Sequence, residues 1–116
     1  MTITLYHNPR CSKSRATLER IRARGIEPVV IDYLETPPDE PTLRRVIGLL
    51  GVRPVDIARR HEPAWSAAGL DLDSTDDQVI AALLREPILI ERPIVIAGDR
   101  AIVARPPETV DRLLGG

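Results

Sequence analysis

The chain has 116 residues, 43% of them hydrophobic, and a formal net charge of −1. That length gives one domain with enough apolar content for a packed core, and the near-neutral charge excludes a general nucleic-acid binder. One cysteine excludes an intramolecular disulfide framework and a Cys-x-x-Cys pair, and one cysteine with two histidines leaves a cysteine-rich zinc site unsupported. Residues 2–6 read as a buried strand. A helix over 11–24 follows, with Leu18 and Ile21 spaced three apart and Gly25 at the stop position. Val29-Val30-Ile31-Asp32-Tyr33 is a second β-rich run, so the opening is a βαβ unit.

Thr36-Pro37-Pro38-Asp39 breaks the chain. The next helix carries Leu43, Val46, Ile47 and Leu50 at i, i+3, i+4 and i+7 and ends at Gly51. Short helical pieces are predicted near Pro54 and from Pro63 to Gly69. Thr75-Asp76-Asp77-Gln78 is a capping box whose helix carries Val79, Ile80, Leu83 and Leu84 and stops at Pro87. Ile88 to Ile90 is a brief apolar run. Strands at 94–96 and 101–103 flank Gly98-Asp99, a two-residue hairpin turn with glycine first. Pro106 and Pro107 open a last helix with Val110, Leu113 and Leu114 inward. The order is βαβ, then helices, then ββα. It predicts an α/β fold of thioredoxin-like plan: a single domain over 1–116 with a helical insertion at about 38–86.

The lone thiol, Cys11, falls in Tyr6-His7-Asn8-Pro9-Arg10-Cys11-Ser12-Lys13-Ser14-Arg15, where a strand gives way to a helix. Unpaired N–H groups and the positive end of the helix dipole collect at that junction and favour thiolate over thiol. Arg10, Lys13 and Arg15 add positive charge nearby. The expected chemistry is a reactive nucleophile beside an anion-binding turn. The amino-terminal residues carry no basic n-region followed by a long apolar stretch, and no segment has the length of a membrane span. A cytoplasmic location is expected, where the thiol stays reduced.

Tyr6-His7-Asn8-Pro9-x-Cys11-x-x-Ser14-Arg15 resembles the amino-terminal motif of the ArsC-type, glutaredoxin-coupled arsenate reductases. Three further stretches match that family in order: Arg59-Arg60-His61-Glu62-Pro63, Ile88-Leu89-Ile90-Glu91-Arg92-Pro93-Ile94-Val95, and Arg105-Pro106. The resemblance implies a thioredoxin-like fold with a helical insertion, and a cis peptide before Pro93. It implies that Cys11 attacks arsenate while Arg59, Arg92 and Arg105 bind the oxyanion, with Arg60 the alternative to Arg59. It implies glutathione and glutaredoxin as external partners, with no bound cofactor.

The residue types suit that chemistry. Arsenate is a tetrahedral oxyanion, held well by guanidinium forks and by backbone N–H groups at a helix start. His7, Asn8 and Ser14 are candidates for supporting the thiolate. Reducing As(V) to As(III) takes two electrons, which one cysteine cannot supply and recover alone, so outside thiols are required. The Cys-x5-Arg loop of the phosphatase-like arsenate reductases is absent, because Thr17 stands where its arginine would be. His61 and Trp65 read as packing or surface residues. Two other functions compete: a glutathione-dependent thiol oxidoreductase acting on another substrate, and a regulator like Spx that binds RNA polymerase. The second is disfavoured by Ser14, which takes the place of the second cysteine of a redox switch. With no apolar stripe left over for a large interface, a monomer is expected, with neither nucleic acid nor membrane as partner.

Overall fold

A computed structural model describes residues 2–115. The chain forms two compact units, Met1–Thr36 with Arg92–Gly116, and Pro37–Glu91.

The first unit is built on a four-stranded sheet. Its strands are β1 (Ile3–His7), β2 (Val29–Asp32), β3 (Ile94–Ala97) and β4 (Arg100–Val103), in the order β2-β1-β3-β4. β1 and β2 are parallel and joined by helix α1 (Ser12–Ala23), whereas β1–β3 and β3–β4 are antiparallel. This is the thioredoxin-like plan that the element order predicts. Side chains alternate across a strand, so Ile3 and Leu5 share a face with their partners Ala97 and Val95. That face packs with Ile21 of α1 and with Val110 and Leu113 of the closing helix to form one apolar cluster. His7 continues the same alternation, which brings it to the α1 side of the sheet.

Two local features of this unit stand out. The buried residues of α1 are Ser14, Thr17 and Ile21, while Leu18 is only partly covered. Two polar side chains are tolerated there because each has a partner: Ser14 meets His7, and Thr17 Oγ1 donates to the Lys13 carbonyl at 2.9 Å. β2 is apolar, yet Val29 and Val30 are exposed, because it is an edge strand. The β3–β4 turn forms as predicted. Gly98 takes φ +62°, and no residue other than glycine has positive φ among those described, so Asp99 keeps the negative φ of a turn with glycine first. The last helix starts with a 3-10 turn, Pro107–Thr109, before α-helical Val110–Leu113.

The second unit is helical. Its α2 (Glu40–Leu50) is capped by Asp39, which accepts from Thr42 N at 2.9 Å, and ends at left-handed Gly51. A 3-10 turn (Pro54–Ile57) and the short α3 (Pro63–Ala67) follow. Both bonds of the predicted capping box are present at α4 (Asp76–Arg85): Gln78 N to Thr75 Oγ1, and Thr75 N to Gln78 Oε1. Val79, Ile80, Ala82 and Leu83 are its buried residues. An isolated antiparallel bridge, Ala58 with Ile90, ties the segment after Pro54–Ile57 to the end of the unit. No helix among the described residues is long and apolar enough to cross a membrane.

Leu5 is fully buried in the sheet-to-helix cluster. Leu5→Ala is expected to cost about 3 kcal/mol, seen as a lower urea midpoint with an unchanged slope.

Candidate active site

β1 delivers the chain into a tight turn. Cys11 N donates to the Asn8 carbonyl at 3.0 Å, and Arg10 N donates to Asn8 Oδ1 at 3.0 Å. The Arg15 side chain donates from Nη1 to the Pro9 carbonyl at 2.9 Å and ties the turn to α1. Pro9 and Arg10 form the exposed corner, and Cys11 becomes the N-cap residue of α1 in extended backbone geometry. An N-cap side chain points toward the free N–H groups of the second and third helical residues, here Lys13 and Ser14.

The sulfur closes no conventional capping hydrogen bond. Those N–H groups nevertheless act on it as dipoles. Burial pushes the Cys11 thiol up. The Ser14 N–H, the Arg92 side chain, the Lys13 N–H and the Arg92 charge together outweigh burial and leave the pKa below the ordinary cysteine value. The cysteine is unpaired and partly exposed, as a nucleophile must be.

Ser14 supplies two different groups. Its N–H faces the sulfur, while its buried hydroxyl lies 2.6 Å from His7 Nδ1 and accepts the Asn8 N–H at 3.1 Å. His7, Asn8 and Ser14 therefore form one buried polar cluster behind the turn. Burial lowers the His7 pKa, as do Arg15 and Arg22, against the opposing charge of Asp32. His7 is accordingly a neutral ring at neutral pH. Asn8 receives its hydrogen bonds from backbone donors and shapes the turn.

Arg92 and Arg105 flank the β3–β4 hairpin of the same unit. Tyr6 pairs with Ile94, so the residues just before β3 lie beside the end of β1. Arg92 reaches the Cys11 sulfur. The hairpin returns the chain so that Ala104 N donates to the Pro93 carbonyl at 2.9 Å and Arg105 Nη1 donates to the Arg92 carbonyl at 3.1 Å. The fold thus brings Arg92 to Cys11 and ties Arg105 to Arg92, residues far apart in the chain. The Arg92–Pro93 peptide is cis, and so is Arg105–Pro106.

Arg59 belongs to the helical unit, with its side chain 10% exposed. Its nitrogens contact Glu62, Glu91 and His61. Arg60 beside it is exposed, as is His61, while Trp65 is buried. The sequence reading did not single out the N–H of Lys13, the Arg15 strap or the two glutamates around Arg59. The first was legible in the helix start; the others depend on distant chain segments. Among the described residues no cluster of His, Cys, Asp and Glu is arranged to hold a metal ion.

Such a site can hold a tetrahedral oxyanion against a thiolate. The ArsC family model matches residues 6–113. An arsenate reductase of Escherichia coli is 47% identical over 109 residues, covering 93% of this chain and 77% of that protein. The uncharacterized protein YfgD of E. coli K12 is 42% identical, covering 97% of both. The solved structure of an arsenate reductase from Vibrio cholerae superposes with a TM-score of 0.91 at 43% identity, covering 97% of each chain.

Arg92→Ala is expected to shift the pH profile of Cys11 alkylation upward, because both the side-chain contact and the positive charge that favour thiolate are lost. In the unsubstituted protein the inflection should lie below that of an ordinary cysteine. The pH dependence of iodoacetamide reaction, followed by mass spectrometry, measures both.

Proposed function

The chain belongs to the ArsC family, and from that premise we propose that it reduces arsenate to arsenite with Cys11 as nucleophile. The observation that carries this reading is the sulfur at the start of α1, facing two backbone N–H groups and Arg92, with Arg105 adjoining. Donors of this kind favour negative charge twice, first on the thiolate and then on the bound oxyanion.

In the proposed reaction Arg59, Arg92 and Arg105 bind arsenate. The Cys11 thiolate attacks arsenic, an oxygen leaves as water after protonation, and a Cys11–S–As(V) adduct forms. Glutathione then attacks the Cys11 sulfur. The S–As bond breaks and its electron pair stays on arsenic, which departs as arsenite, As(III). Cys11 is left in a mixed disulfide with glutathione. A glutaredoxin thiol takes over the glutathionyl group and returns Cys11 to the free thiol. Two thiols have supplied the two electrons, in accord with a single cysteine in the chain. His7 acts here as structural support for the turn. A neutral buried ring tied to Ser14 is not needed as a base when the thiol is already acidified.

Arsenite formation from arsenate in the presence of glutathione and glutaredoxin tests the proposal, and Cys11→Ser should abolish it. Arg105→Ala should raise the KM for arsenate by about tenfold or more, the loss of one charge-assisted contact. An enzyme that only exchanges disulfides would be indifferent to that substitution. Absence of arsenite from the unsubstituted protein would defeat the proposal.

A further inference from the structure

On the β2 side of the Cys11 turn lies a cleft of about 380 Å³, lined by Asn8, Pro9, Arg10, Asp32, Leu34 and Glu35. All six belong to the sheet unit. The parallel register pairs His7 with Asp32, so β1 and β2 end side by side. β1 runs on into the Cys11 turn. β2 runs into a turn of its own, where Glu35 N and Thr36 N donate to the Asp32 carbonyl at 3.1 and 2.8 Å. The cleft opens between the two turns, at the carboxyl ends of parallel strands, where ligand crevices form in open sheets.

Its charge differs from that of the oxyanion side. Arg10 brings one cation, and Asp32 and Glu35 bring two carboxylates. Arg10 and Glu35 are exposed, and Asp32 accepts Leu34 N at 3.2 Å through Oδ1. Leu34 and Pro9 add apolar surface. The carboxylates repel a bare oxyanion, whereas a ligand that carries an ammonium and a carboxylate together is matched. The sheet order β2-β1-β3-β4 sets this cleft on one flank of β1 and Arg92 and Arg105 on the other, with the Cys11 turn between them.

We propose that this cleft is the subsite for glutathione, with Asp32 and Glu35 facing its ammonium group and Arg10 facing a carboxylate. The inference deepens the proposed function and rests on the part of it in which glutathione is the thiol that meets Cys11. Displacement at sulfur needs the incoming thiolate opposite the leaving group. A thiolate arriving from the β2 flank meets the Cys11 sulfur while arsenic departs on the arginine flank. The new S–S bond forms, the S–As bond breaks with its electron pair left on arsenic, and the thiol proton of glutathione goes to solvent.

Reaction of the reduced protein with glutathione disulfide and with uncharged hydroxyethyl disulfide tests this, with Cys11 modification followed by mass spectrometry at low ionic strength. Both reagents report on the same thiolate, and only one carries ammonium and carboxylate groups, so the ratio of the two rates cancels any change in Cys11 itself. Relative to the unsubstituted protein, the ratio is expected to fall about threefold in Glu35→Gln and in Arg10→Gln, the loss of one exposed ion pair. It should fall about tenfold when Asp32→Asn and Glu35→Gln are combined. Asparagine keeps an oxygen for Leu34 N, so the turn after β2 is preserved. Simple attraction of the net negative charge of glutathione disulfide would instead raise the ratio in the carboxylate variants. That result, like an unchanged ratio, overturns the proposal. The arsenate assay separates the two readings. Arsenite formed with the ratio unmoved leaves the proposed function standing without the cleft. A fallen ratio with no arsenite leaves the glutathione site standing without arsenate reduction.

Discussion

The sulfur of Cys11 sits where β1 ends and α1 begins, and the site is organised around keeping negative charge on that atom. Partial burial works against the charge. The N–H groups of Ser14 and Lys13 and the side chain of Arg92 work for it and prevail. The arrangement needs the turn to stay closed, and the turn is closed by bonds that do not involve the sulfur: Cys11 N to the Asn8 carbonyl, Arg15 to the Pro9 carbonyl, and the Ser14 hydroxyl to Asn8 N. The donors that face the sulfur are thus held by bonds that do not depend on it, and such preorganised donors stabilise charge effectively.

Polar residues beneath the turn come at a cost. Ser14 and Thr17 occupy inward positions of α1 where apolar side chains would contribute burial energy. A buried polar group left without a partner costs about 1–3 kcal/mol. The pairing of Ser14 with His7 and Asn8, and of Thr17 with Lys13, avoids that penalty. His7 stays neutral in this setting, so it adds no charge of its own beside the thiolate. The core proper begins one turn further along α1, at Ile21, and continues through Leu5, Val95 and Val110.

Positive charge is handled differently in the two units. Arg92 is directed at the sulfur, and Arg105 is tied to the Arg92 carbonyl. Arg59 is balanced within its own unit by Glu62 and Glu91. Its partial burial explains the need for partners, since a guanidinium removed from water without carboxylates would be strongly disfavoured. Arg60, one residue on, is exposed and has no such requirement.

Much of this was written locally in the chain. Periodicity gave the strands and helices, because burial of one face imposes a repeat of 2 or 3.6 residues. Asp39, Thr75 and Gly51 marked helix ends because caps are satisfied by near neighbours. The thiol at a helix start was visible for the same reason, since its donors lie two and three residues ahead. The family match supplied Arg92 and Arg105 by motif, but nothing local in the sequence says that one meets the sulfur and the other the first one's carbonyl. That depends on β3 pairing with β1 and β4 with β3 in one particular register. The partners of Ser14 and Arg59, the exposure of β2 and the inward place of Thr17 were likewise decided only in the folded chain. Each follows from segments brought together by the sheet or by the Ala58–Ile90 bridge, and such long-range contacts leave no periodic trace in the residues that make them.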